Sequence, residues 1–402
     1  MIFCDKKKSC IFLFRFLEDF VSLYCSTFTK FDSKETVLTK KILIIVGTRP
    51  NFIKVTRFKE LVQIYPELEI TIVHTGQHWD RNMSEVFFEE FGLKPDYMLS
   101  ASSNSVVDQF SSMMSKLSEL ILNIGKPDLM IVPGDVNSTL ASALVANKMG
   151  IPLAHLESGL RSNDRAMPEE INRILTDELS DYFFVTEQSG LDHLHEEKKK
   201  GEVFFVGNTM IDTLVHFETQ IAKSSILQKL GIEEKPYILV TLHRPSNVDS
   251  TEGQAKIMRL FEELSKKYTI VFPIHPRTRK NFEQSNKVAE WKANGNLHLL
   301  DPLGYFDFQA LVKDAKLILT DSGGIQEEST FRQVPCLTLR ENTERPITVD
   351  LGTNTLVPFD EQLILSLIAD IHEGNYKKGA IPPLWDGNAT ERILGIISKM
   401  LK

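Results

Sequence analysis

From residue 40 onward the chain alternates short apolar runs with longer amphipathic segments. The first run, residues 41–46, is followed by a Gly-Thr-Arg-Pro turn and by a helix-like stretch that ends near Tyr65. A continuous run of aliphatic and β-branched residues is typical of a strand buried on both faces, and a strand, a tight turn and a helix make one unit of a parallel sheet. The unit recurs, with further strands predicted at residues 69–74, 129–132, 152–156 and 182–186.

A second series of alternating strands and helices follows Gly207. Its predicted strands are residues 237–242, 269–274, 297–300, 317–320 and 335–339. Continuous alternation of this kind is typical of the doubly wound α/β fold, and two series predict two Rossmann-like domains. We expect the first domain at residues 40–207, the second at residues 208–384, and a C-terminal helix within residues 385–402 that packs back on the first domain.

Residues 1–39 do not share this pattern and are interpreted as an N-terminal extension. Their apolar run, residues 11–17, contains Arg15, is too short to cross a bilayer, and is not followed by the small-residue cleavage site of a signal peptide. Three of the four cysteines lie in this extension and the chain contains no C-x-x-C pair. We therefore expect a reducing, cytoplasmic location and no structural zinc.

The composition narrows the class of partner. With 46 basic and 54 acidic residues the net charge is −8, which argues against a nucleic acid or an anionic membrane as partner. His193 and His195 precede a run of lysines and are interpreted as a solvated helix face, so no metal site is predicted. Open parallel sheets bind ligands beyond the carboxyl ends of their strands, so the residues that follow the predicted strands are the candidates for chemistry.

The turn at residues 47–54 combines a glycine, a helix start with unpaired N–H groups, and the cations Arg49 and Lys54. These features suit a diphosphate. The turn lacks the further glycines of a dinucleotide loop and the Lys-Ser/Thr pair of a P-loop. A plain strand-to-helix turn with solvated charges is the alternative interpretation.

The turn at residues 321–328 repeats the arrangement in the second series. Ser322 is predicted to cap the helix, and Gly323 and Gly324 allow a phosphate to approach backbone N–H groups. Glu327 or Glu328, one turn into the helix, can accept hydrogen bonds from a ribose diol. Two such helix starts, one per domain, predict an anionic sugar nucleotide bound between them.

Three carboxylates follow strand ends of the first series, namely Asp135, Glu157 and Glu169. Carboxylates close together in a cleft can have their pKa values pushed apart, which supplies an acid and a base from similar residues. An N-cap role is the alternative for Asp135. The neighbouring Glu170, which starts a helix after a proline, is interpreted as interacting with the helix dipole.

Two His/Arg clusters end successive strands of the second series. They are His243-Arg244 and His275-Pro-Arg277, and they suggest a clamp on a diphosphate. Arg345, in a Thr-Glu-Arg-Pro segment, adds a further cation.

Together these motifs resemble the non-hydrolysing UDP-N-acetylglucosamine 2-epimerases. The resemblance covers the chain from about residue 40 to the C-terminus, with the motifs in order and at similar spacing. The motifs are G-T-R-P-N-F-I-K (47–54), H-T-G-Q-H (74–78), P-G-D-V-N-S-T (133–139), H-L-E-S-G-L-R-S (155–162), M-P-E-E-I-N-R (167–173), V-G-N-T-M-I-D (206–212), L-H-R-P (242–245), H-P-R-T (275–278), D-S-G-G-I-Q-E-E (321–328) and T-E-R-P (343–346).

The resemblance implies a glycosyltransferase-B-type fold and interconversion of UDP-N-acetylglucosamine and UDP-N-acetylmannosamine. In this family the C2 proton is removed and UDP is expelled, which gives a 2-acetamidoglucal to which UDP adds again, without metal or nicotinamide. The family also implies a homodimer that supplies surface-polysaccharide synthesis. No cofactor is expected.

The resemblance also assigns roles to individual residues. The carboxylates Asp135, Glu157 and Glu169, with His243, match the catalytic residues. Matches to the substrate-binding residues are Arg49, Lys54, Ser322, Gly323, Gly324, Glu328 and Arg345, to which the residue pattern adds His275 and Arg277. Gln77 and His78 match a regulatory site for a second UDP-N-acetylglucosamine found in bacterial members.

This sequence departs from the common family pattern in two places. The loop between Glu157 and Glu169 is shorter, and Ser158 stands where alanine is usual. These departures leave the exact sugar open, so an epimerase for a modified UDP-sugar, such as a diacetamido uronic acid, is one alternative. A retaining glycosyltransferase is the alternative from another class, although no acceptor site is marked in the sequence.

Deletion of residues 1–37 is expected to leave a soluble and active protein, because this segment lies outside both the α/β pattern and the family match. Turnover and thermal melting of the full-length and shortened proteins measure this. An insoluble or inactive shortened protein would show that the extension contributes to folding or activity.

Overall fold

Two parallel sheets carry the fold in the computed structural model, which describes residues 39–77, 89–101, 104–283, 291 and 294–402, with the backbone alone at residues 246 and 277. Residues 40–402 group as one unit by their internal contacts. We call the first sheet with its helices the first half and the second sheet with its helices the second half.

The first sheet has seven described strands in the order β3-β2-β1-β4-β5-β6-β7. They are β1 (Lys40–Val46), β2 (Leu68–His74), β3 (Tyr97–Met98), β4 (Leu129–Pro133), β5 (Leu153–Leu156), β6 (Tyr182–Val185) and β7 (Glu202–Phe205). The helices between them are α1 (Arg49–Val55), α2 (Phe58–Leu61), α3 (Val106–Ile124), α4 (Asn137–Met149), α5 (Pro168–Leu179) and α6 (Gln188–Glu196), with a 3₁₀ turn at Val62–Ile64.

The second sheet has six described strands in the order β10-β9-β8-β11-β12-β13. They are β8 (Tyr237–Thr241), β9 (Thr269–Pro273), β10 (Leu297–Leu300), β11 (Leu317–Thr320), β12 (Cys336–Thr338) and β13 (Asn354–Leu356). Before this sheet come α7 (Thr209–His216), α8 (Glu218–Ile221) and α9 (Ile226–Leu230). With it come α10 (Pro245–Val248), α11 (Thr251–Ser265), α12 (Pro276–Glu283), α13 (Tyr305–Asp314), α14 (Gly323–Arg332), α15 (Ile347–Asp350) and α16 (Glu361–Glu373), and the chain closes with α17 (Ala389–Met400).

Both sheets reverse their strand order at one point, between β1 and β4 in the first and between β8 and β11 in the second. Every pairing in the two sheets is parallel. The loops after the two strands at such a reversal diverge to opposite faces of the sheet and leave a crevice between them. The prediction of two doubly wound, Rossmann-like halves in a glycosyltransferase-B-type fold is confirmed.

The central strands are buried on both faces, as the continuous apolar runs predict. Residues 42–46 of β1 and residues 238–240 of β8 are at most 1% exposed. Helix α3 shows the complementary pattern, since Met113, Leu117 and Ile121 are buried at a spacing of four residues, which places them on one face of the helix. Packing of buried aliphatic side chains from strands and helices therefore fixes the positions of the strand ends, which the candidate site residues follow.

Three strands are absent from the sequence prediction. These are β3, β7 and β13, which lie at sheet edges and have two to four residues. Both residues of β3 and the first two of β7 are exposed, and β13 begins with an asparagine. An edge strand needs only one neighbour and can be short and partly exposed, so its sequence signal is weaker than that of a central strand.

The C-terminal segment crosses from the second half to the first. Helix α17 packs against α2 and α7, and Ser398 on it donates a hydrogen bond to Glu67. Before the helix, the indole Nε1 of Trp385 donates to the carbonyl of Thr186 at 3.0 Å. The buried carboxylate of Asp212, on α7, accepts from the first backbone amides of α17, at Ala389 (3.0 Å) and Thr390 (2.5 Å).

No helix within the described residues has the length and apolar character needed to cross a membrane.

Replacing Asp212 with alanine is expected to lower the free energy of unfolding by about 2 kcal/mol, because two buried amides lose their acceptor. The midpoint of urea unfolding measures the change. Asp360→Ala is the matched control, since Asp360 also caps a helix, by accepting from Leu363 N, but is exposed. We expect a smaller loss for this variant, and equal losses would contradict the role assigned to burial.

Candidate active site

The four loops at the two reversal points face one cleft with a cavity volume of about 920 Å³. Each loop contributes residues that the sequence singled out: Arg49 after β1, Asp135 after β4, His243 after β8 and Ser322 after β11. A cleft of this size is in the usual range for a small-molecule ligand. The structure therefore brings predicted site residues of both halves to one cleft, although Glu157 is not among the residues that line it.

The first helix start, at α1, faces the cleft with a positive end. Thr48 is its N-cap residue and makes no side-chain capping bond. Arg49 reaches across the cleft to donate to the carbonyl of Leu303 at 3.2 Å. Burial lowers the pKa of Arg49, and the facing carboxylates of Glu90 and Glu328 oppose the shift. Because the N-terminal amides and Arg49 lie side by side, this end of the cleft is suited to an anion.

The second helix start, at α14, has a similar geometry, with one difference from the prediction. Ser322 occupies the N-cap position, but its side chain makes no capping bond, so the expectation that it caps the helix is wrong. A Cβ on Gly323 would lie 2.7 Å from the Glu344 Oε1 atom and 3.0 Å from Arg345 Nη1. Glycine at position 323 therefore lets the backbone lie close to the buried charges of Glu344 and Arg345. The Ser322 side chain does not cap the helix.

Asp135 forms an ion pair and is not an N-cap. Helix α4 begins with Val136 as its N-cap residue, and the Asp135 carboxylate pairs with the buried guanidinium of Arg173, which projects from α5. Burial alone would raise the pKa of Asp135, but the charges of Arg173 and Lys54 outweigh it and hold the pKa below its ordinary value. The carboxylate is therefore ionised at neutral pH.

Glu157 lies deeper, between cations from the two halves. Its carboxylate pairs with Lys54 on α1 and with Arg345 of the second half, whose Nη2 atom is 2.5 Å from Oε1. Its backbone adopts the left-handed region, with φ of +71°, which is uncommon for a residue with a side chain. Such strain is frequent at functional sites and persists only where the surroundings impose it.

The two glutamates that begin α5 have different environments. Glu169 is exposed and lines the cleft. Glu170 is buried and accepts from the backbone amides of Ser162 and Asn163, each at 2.9 Å, and from Arg173. The interpretation that Glu170 interacts only with the helix dipole is therefore incomplete, because its carboxylate mainly contacts the loop between Glu157 and Glu169.

Arg345 is the centre of a buried group of charges. Its guanidinium contacts Glu157 and Glu344, and its Nε atom lies 2.9 Å from Oε2 of Glu327. Glu344 also pairs with Arg340 at 2.9 Å. Burial opposes ionisation of Glu344, but Arg345 and Arg340 outweigh it and hold its pKa far below the ordinary value. Each charged side chain in this cluster contacts one of opposite charge, which offsets the cost of burying the charges.

The structure separates the two candidates for a ribose diol. Glu327 does not line the cleft. Its Oε1 atom accepts a hydrogen bond from Asn208 at 2.8 Å. Glu328 lines the cleft together with Gln309 on α13. Burial raises the pKa of Glu328 to about 7, and the nearby charge of Glu327 adds to that shift. Glu328 is thus the carboxylate placed to meet a ligand.

His243 and His275 lie next to each other where the second half lines the cleft. Their ring centroids are 5.8 Å apart. The His243 Nδ1 atom is 2.9 Å from the buried carboxylate of Asp321, which also accepts from the backbone amides of His243 and Arg244. Burial alone would raise the pKa of Asp321, but its bonds with His243 outweigh it and lower the pKa. The backbone of Arg277 lies in α12, and its side chain is outside the described part of the chain.

The two residues matched to a regulatory site are only partly described. Gln77 is buried, and its side-chain oxygen accepts from the amide of Ser138 at 2.7 Å, in the first turn of α4. His78 lies outside the described residues. Within the described residues no group of three or more His, Cys, Asp or Glu side chains is arranged to hold a metal ion.

The sequence analysis did not single out the partners of the catalytic candidates. Arg173, Asp321 and Glu344 each hold a site residue in place, yet none was given a role. One available signal was the position of Arg173 in the same segment as Glu169, four residues along a helix and so on the same face. For Glu344 the signal was its position directly before Arg345 in the Thr-Glu-Arg-Pro segment.

The arrangement supports one kind of chemistry. Two helix N-termini and Arg49 can stabilise negative charge on a diphosphate, and the carboxylates of the first half can move a proton. Cations pair with two of these carboxylates, which fixes their positions before a ligand arrives.

Comparisons with known proteins show which family this chain resembles. Residues 61–398 match the sequence profile of the UDP-N-acetylglucosamine 2-epimerase family. The UDP-N-acetylglucosamine 2-epimerase of Methanococcus maripaludis is 40% identical over 366 residues, which cover 89% of this chain and 98% of that protein. The UDP-2,3-diacetamido-2,3-dideoxy-D-glucuronate 2-epimerase of Pseudomonas aeruginosa is 38% identical over 371 residues, covering 90% of this chain and 100% of that protein.

A solved structure gives the same result. The crystal structure of the Methanocaldococcus jannaschii UDP-GlcNAc 2-epimerase in complex with UDP-GlcNAc and UDP matches this fold with a TM-score of 0.82 and 38% sequence identity, covering 89% of this chain and 99% of that one. With the profile match, the two relatives and the shared fold, this chain belongs to the UDP-N-acetylglucosamine 2-epimerase family.

Proposed function

We propose that this protein interconverts UDP-N-acetylglucosamine and UDP-N-acetylmannosamine by inversion at C2. The reaction removes the C2 proton and breaks the bond between C1 and the diphosphate oxygen, which gives a 2-acetamidoglucal and UDP. A proton then returns to C2 on the other face, and UDP adds back to C1 with its original configuration. One observation carries the proposal: Asp135, held by the buried Arg173, lines the same cleft as the two helix starts, and Glu157 pairs with two cations that line it, Lys54 and Arg345.

The diphosphate is proposed to lie between the starts of α1 and α14. As the C1–O bond breaks, negative charge grows on the diphosphate, so fixed donors that face it lower the barrier. The proposed ligands of the diphosphate come from both halves. They are Arg49 and Lys54 from the first half and Ser322, Gly323, Gly324, His275, Arg277 and Arg345 from the second half. Glu328 is proposed to accept from the ribose diol, because it lines the cleft and Glu327 does not.

The sugar is proposed to lie toward the first half, where the carboxylates are. Asp135 and Glu157 are fixed by Arg173, Lys54 and Arg345, whereas Glu169 is exposed at the rim. A fixed and a freer carboxylate suit removal of a proton from one face and its return to the other. His243, held by Asp321, is proposed to assist at the leaving oxygen.

The isosteric changes Asp135→Asn, Glu157→Gln and Glu169→Gln are each expected to lower kcat by about 10²- to 10⁴-fold, because general acid–base help is lost. The Kd for UDP should change much less. In D₂O the wild type should place deuterium at C2 of the product, and the variants should lose this exchange together with epimerisation.

Glu178→Gln is the matched control for these variants. Glu178 lies on the same helix as Glu169 but its carboxylate is 69% exposed and pairs with Lys199, so kcat should be unaffected. Near-normal rates in all three active-site variants, or a product without deuterium at C2, would rule out the proposed chemistry.

A diacetamido uronic acid is the second candidate sugar, because the Pseudomonas aeruginosa relative that is named for it is nearly as similar, at 38% identity, as the relative at 40%. Measuring kcat/KM for the two UDP-sugars in parallel decides between them. We expect UDP-N-acetylglucosamine to be the better substrate, and a preference for the uronic acid would reassign the sugar while leaving the reaction unchanged.

We further propose that Gln77 and His78 border a regulatory site for a second UDP-N-acetylglucosamine. The bond from Ser138 to Gln77 connects the segment around Gln77 to the first turn of α4, three residues after Asp135, so a ligand there can affect the turn that carries Asp135. UDP-N-acetylmannosamine alone should then turn over slowly until a trace of UDP-N-acetylglucosamine is added. Hyperbolic kinetics without this activator would exclude the regulatory site.

The remaining features rest on the resemblance and on the residue pattern. We propose a homodimer in the cytoplasm, with domains at residues 40–207 and 208–384 and a C-terminal helix at 385–402.

A further inference from the structure

The carbonyl of Gly134 lies directly before the catalytic candidate Asp135. Gly134 adopts the left-handed region, with φ of +67°, and its amide donates to Leu156 at 2.9 Å. Its carbonyl oxygen is 2.7 Å from the Nε2 atom of His155. The imidazole of His155, on strand β5, is therefore bonded to the backbone one residue before the Asp135 carboxylate.

The other ring nitrogen of His155 faces a second acceptor. Nδ1 is 2.6 Å from Oδ1 of Asp177, and both side chains are completely buried. The other carboxylate oxygen of Asp177 is 2.7 Å from Arg161 Nη1 and accepts from the amide of Gly159 at 3.2 Å. Asp177, on α5, is thus surrounded by donors.

These contacts fix the orientation of the His155 ring. A carbonyl oxygen can only accept, so the Nε2 atom of His155 donates to Gly134. On the other side of the ring the Nδ1 atom meets the Asp177 carboxylate, which Arg161 and the Gly159 amide hold in place. Because both ring nitrogens are bonded, Asp177 anchors the imidazole against the Gly134 carbonyl.

The neighbouring carbonyls of the same turn are held in a similar way. Pro133 accepts from Asn51 Nδ2 at 3.0 Å and from Thr139 Oγ1 at 2.8 Å. Asp135 accepts at its own carbonyl from Asn172 Nδ2 at 2.9 Å. Three consecutive carbonyls are therefore each fixed by a side chain from another element.

We propose that His155, supported by Asp177, is a positioning residue that holds the turn so that the Asp135 carboxylate meets the substrate in its reactive geometry. This inference rests on the proposed function. His155 touches neither the cleft nor the Asp135 side chain, so it acts through the backbone of Gly134. Displacement of a catalytic group by about 1 Å can cost on the order of 10²-fold in rate, which gives such a backbone contact a measurable effect.

The test compares His155→Gln, Asp135→Asn and the double variant. We expect His155→Gln to lower kcat by about 10- to 100-fold while the Kd for UDP, measured by calorimetry, stays unchanged because the proposed UDP ligands of the second half are untouched. A structural defect alone would lower binding and kcat together. In the Asp135→Asn background the same change should cause no further loss of C2 deuterium incorporation, because both variants remove one function.

Tyr237→Phe is the matched control. The hydroxyl of the buried Tyr237, on β8, also donates to a backbone carbonyl, that of Leu311, at 2.7 Å, but both residues belong to the second half and not to the turn at residues 133–135. This variant should keep the kcat of the wild type.

Each outcome decides a different point. If Asp135→Asn stays active, the proposed role of Asp135 is wrong and this inference fails with it. If Asp135→Asn is impaired but His155→Gln lowers the rate by the same factor in both backgrounds, or keeps normal kcat, only the positioning role is overturned. Should His155→Gln not fold, Asp177→Asn replaces it, and a kcat equal to that of Tyr237→Phe would overturn the proposal.

Discussion

The contact between Arg345 and Glu157 is the interaction on which the site depends. It joins residues 188 positions apart and ties the second half to the first at the base of the cleft. Both groups are buried, and an unpaired buried charge is far more costly than a paired one. Lys54 on the other side of Glu157 and the carboxylates around Arg345 are therefore required by the same constraint. The site has its fixed geometry because every member of this cluster needs its neighbours.

The two sheets explain why the cluster forms at this place. Each sheet reverses its strand order once, and the loops that follow the strands at each reversal open into a crevice. Because the two crevices face each other, helix N-termini, which attract anions, approach from opposite sides. The carboxylates come from the first half alone, after β4, after β5 and at the start of α5. In the proposed reaction one half thus supplies the groups that move the proton, and both halves supply charge stabilisation.

Helix α5 serves the catalytic turn in several ways. It begins with Glu169 at the rim, and its buried face carries Asn172, Arg173 and Asp177. Asn172 bonds the Asp135 carbonyl, Arg173 bonds the Asp135 carboxylate, and Asp177 supports the histidine that bonds the Gly134 carbonyl. These residues follow a helical spacing and so lie on one face. A single rigid element therefore orients the turn from three directions.

The sequence by itself determined the fold class and the position of each ligand-facing turn. Continuous apolar runs can be recognised locally because a strand covered on both faces must be apolar throughout, and a glycine turn before a helix is equally local. Only the tertiary structure decided which charges pair, that Glu328 rather than Glu327 faces the cleft, that Ser322 leaves its helix uncapped, and where the short edge strands lie. The physical reason is that ion pairs and edge strands depend on neighbours far away in the chain, and local periodicity carries no information about such neighbours.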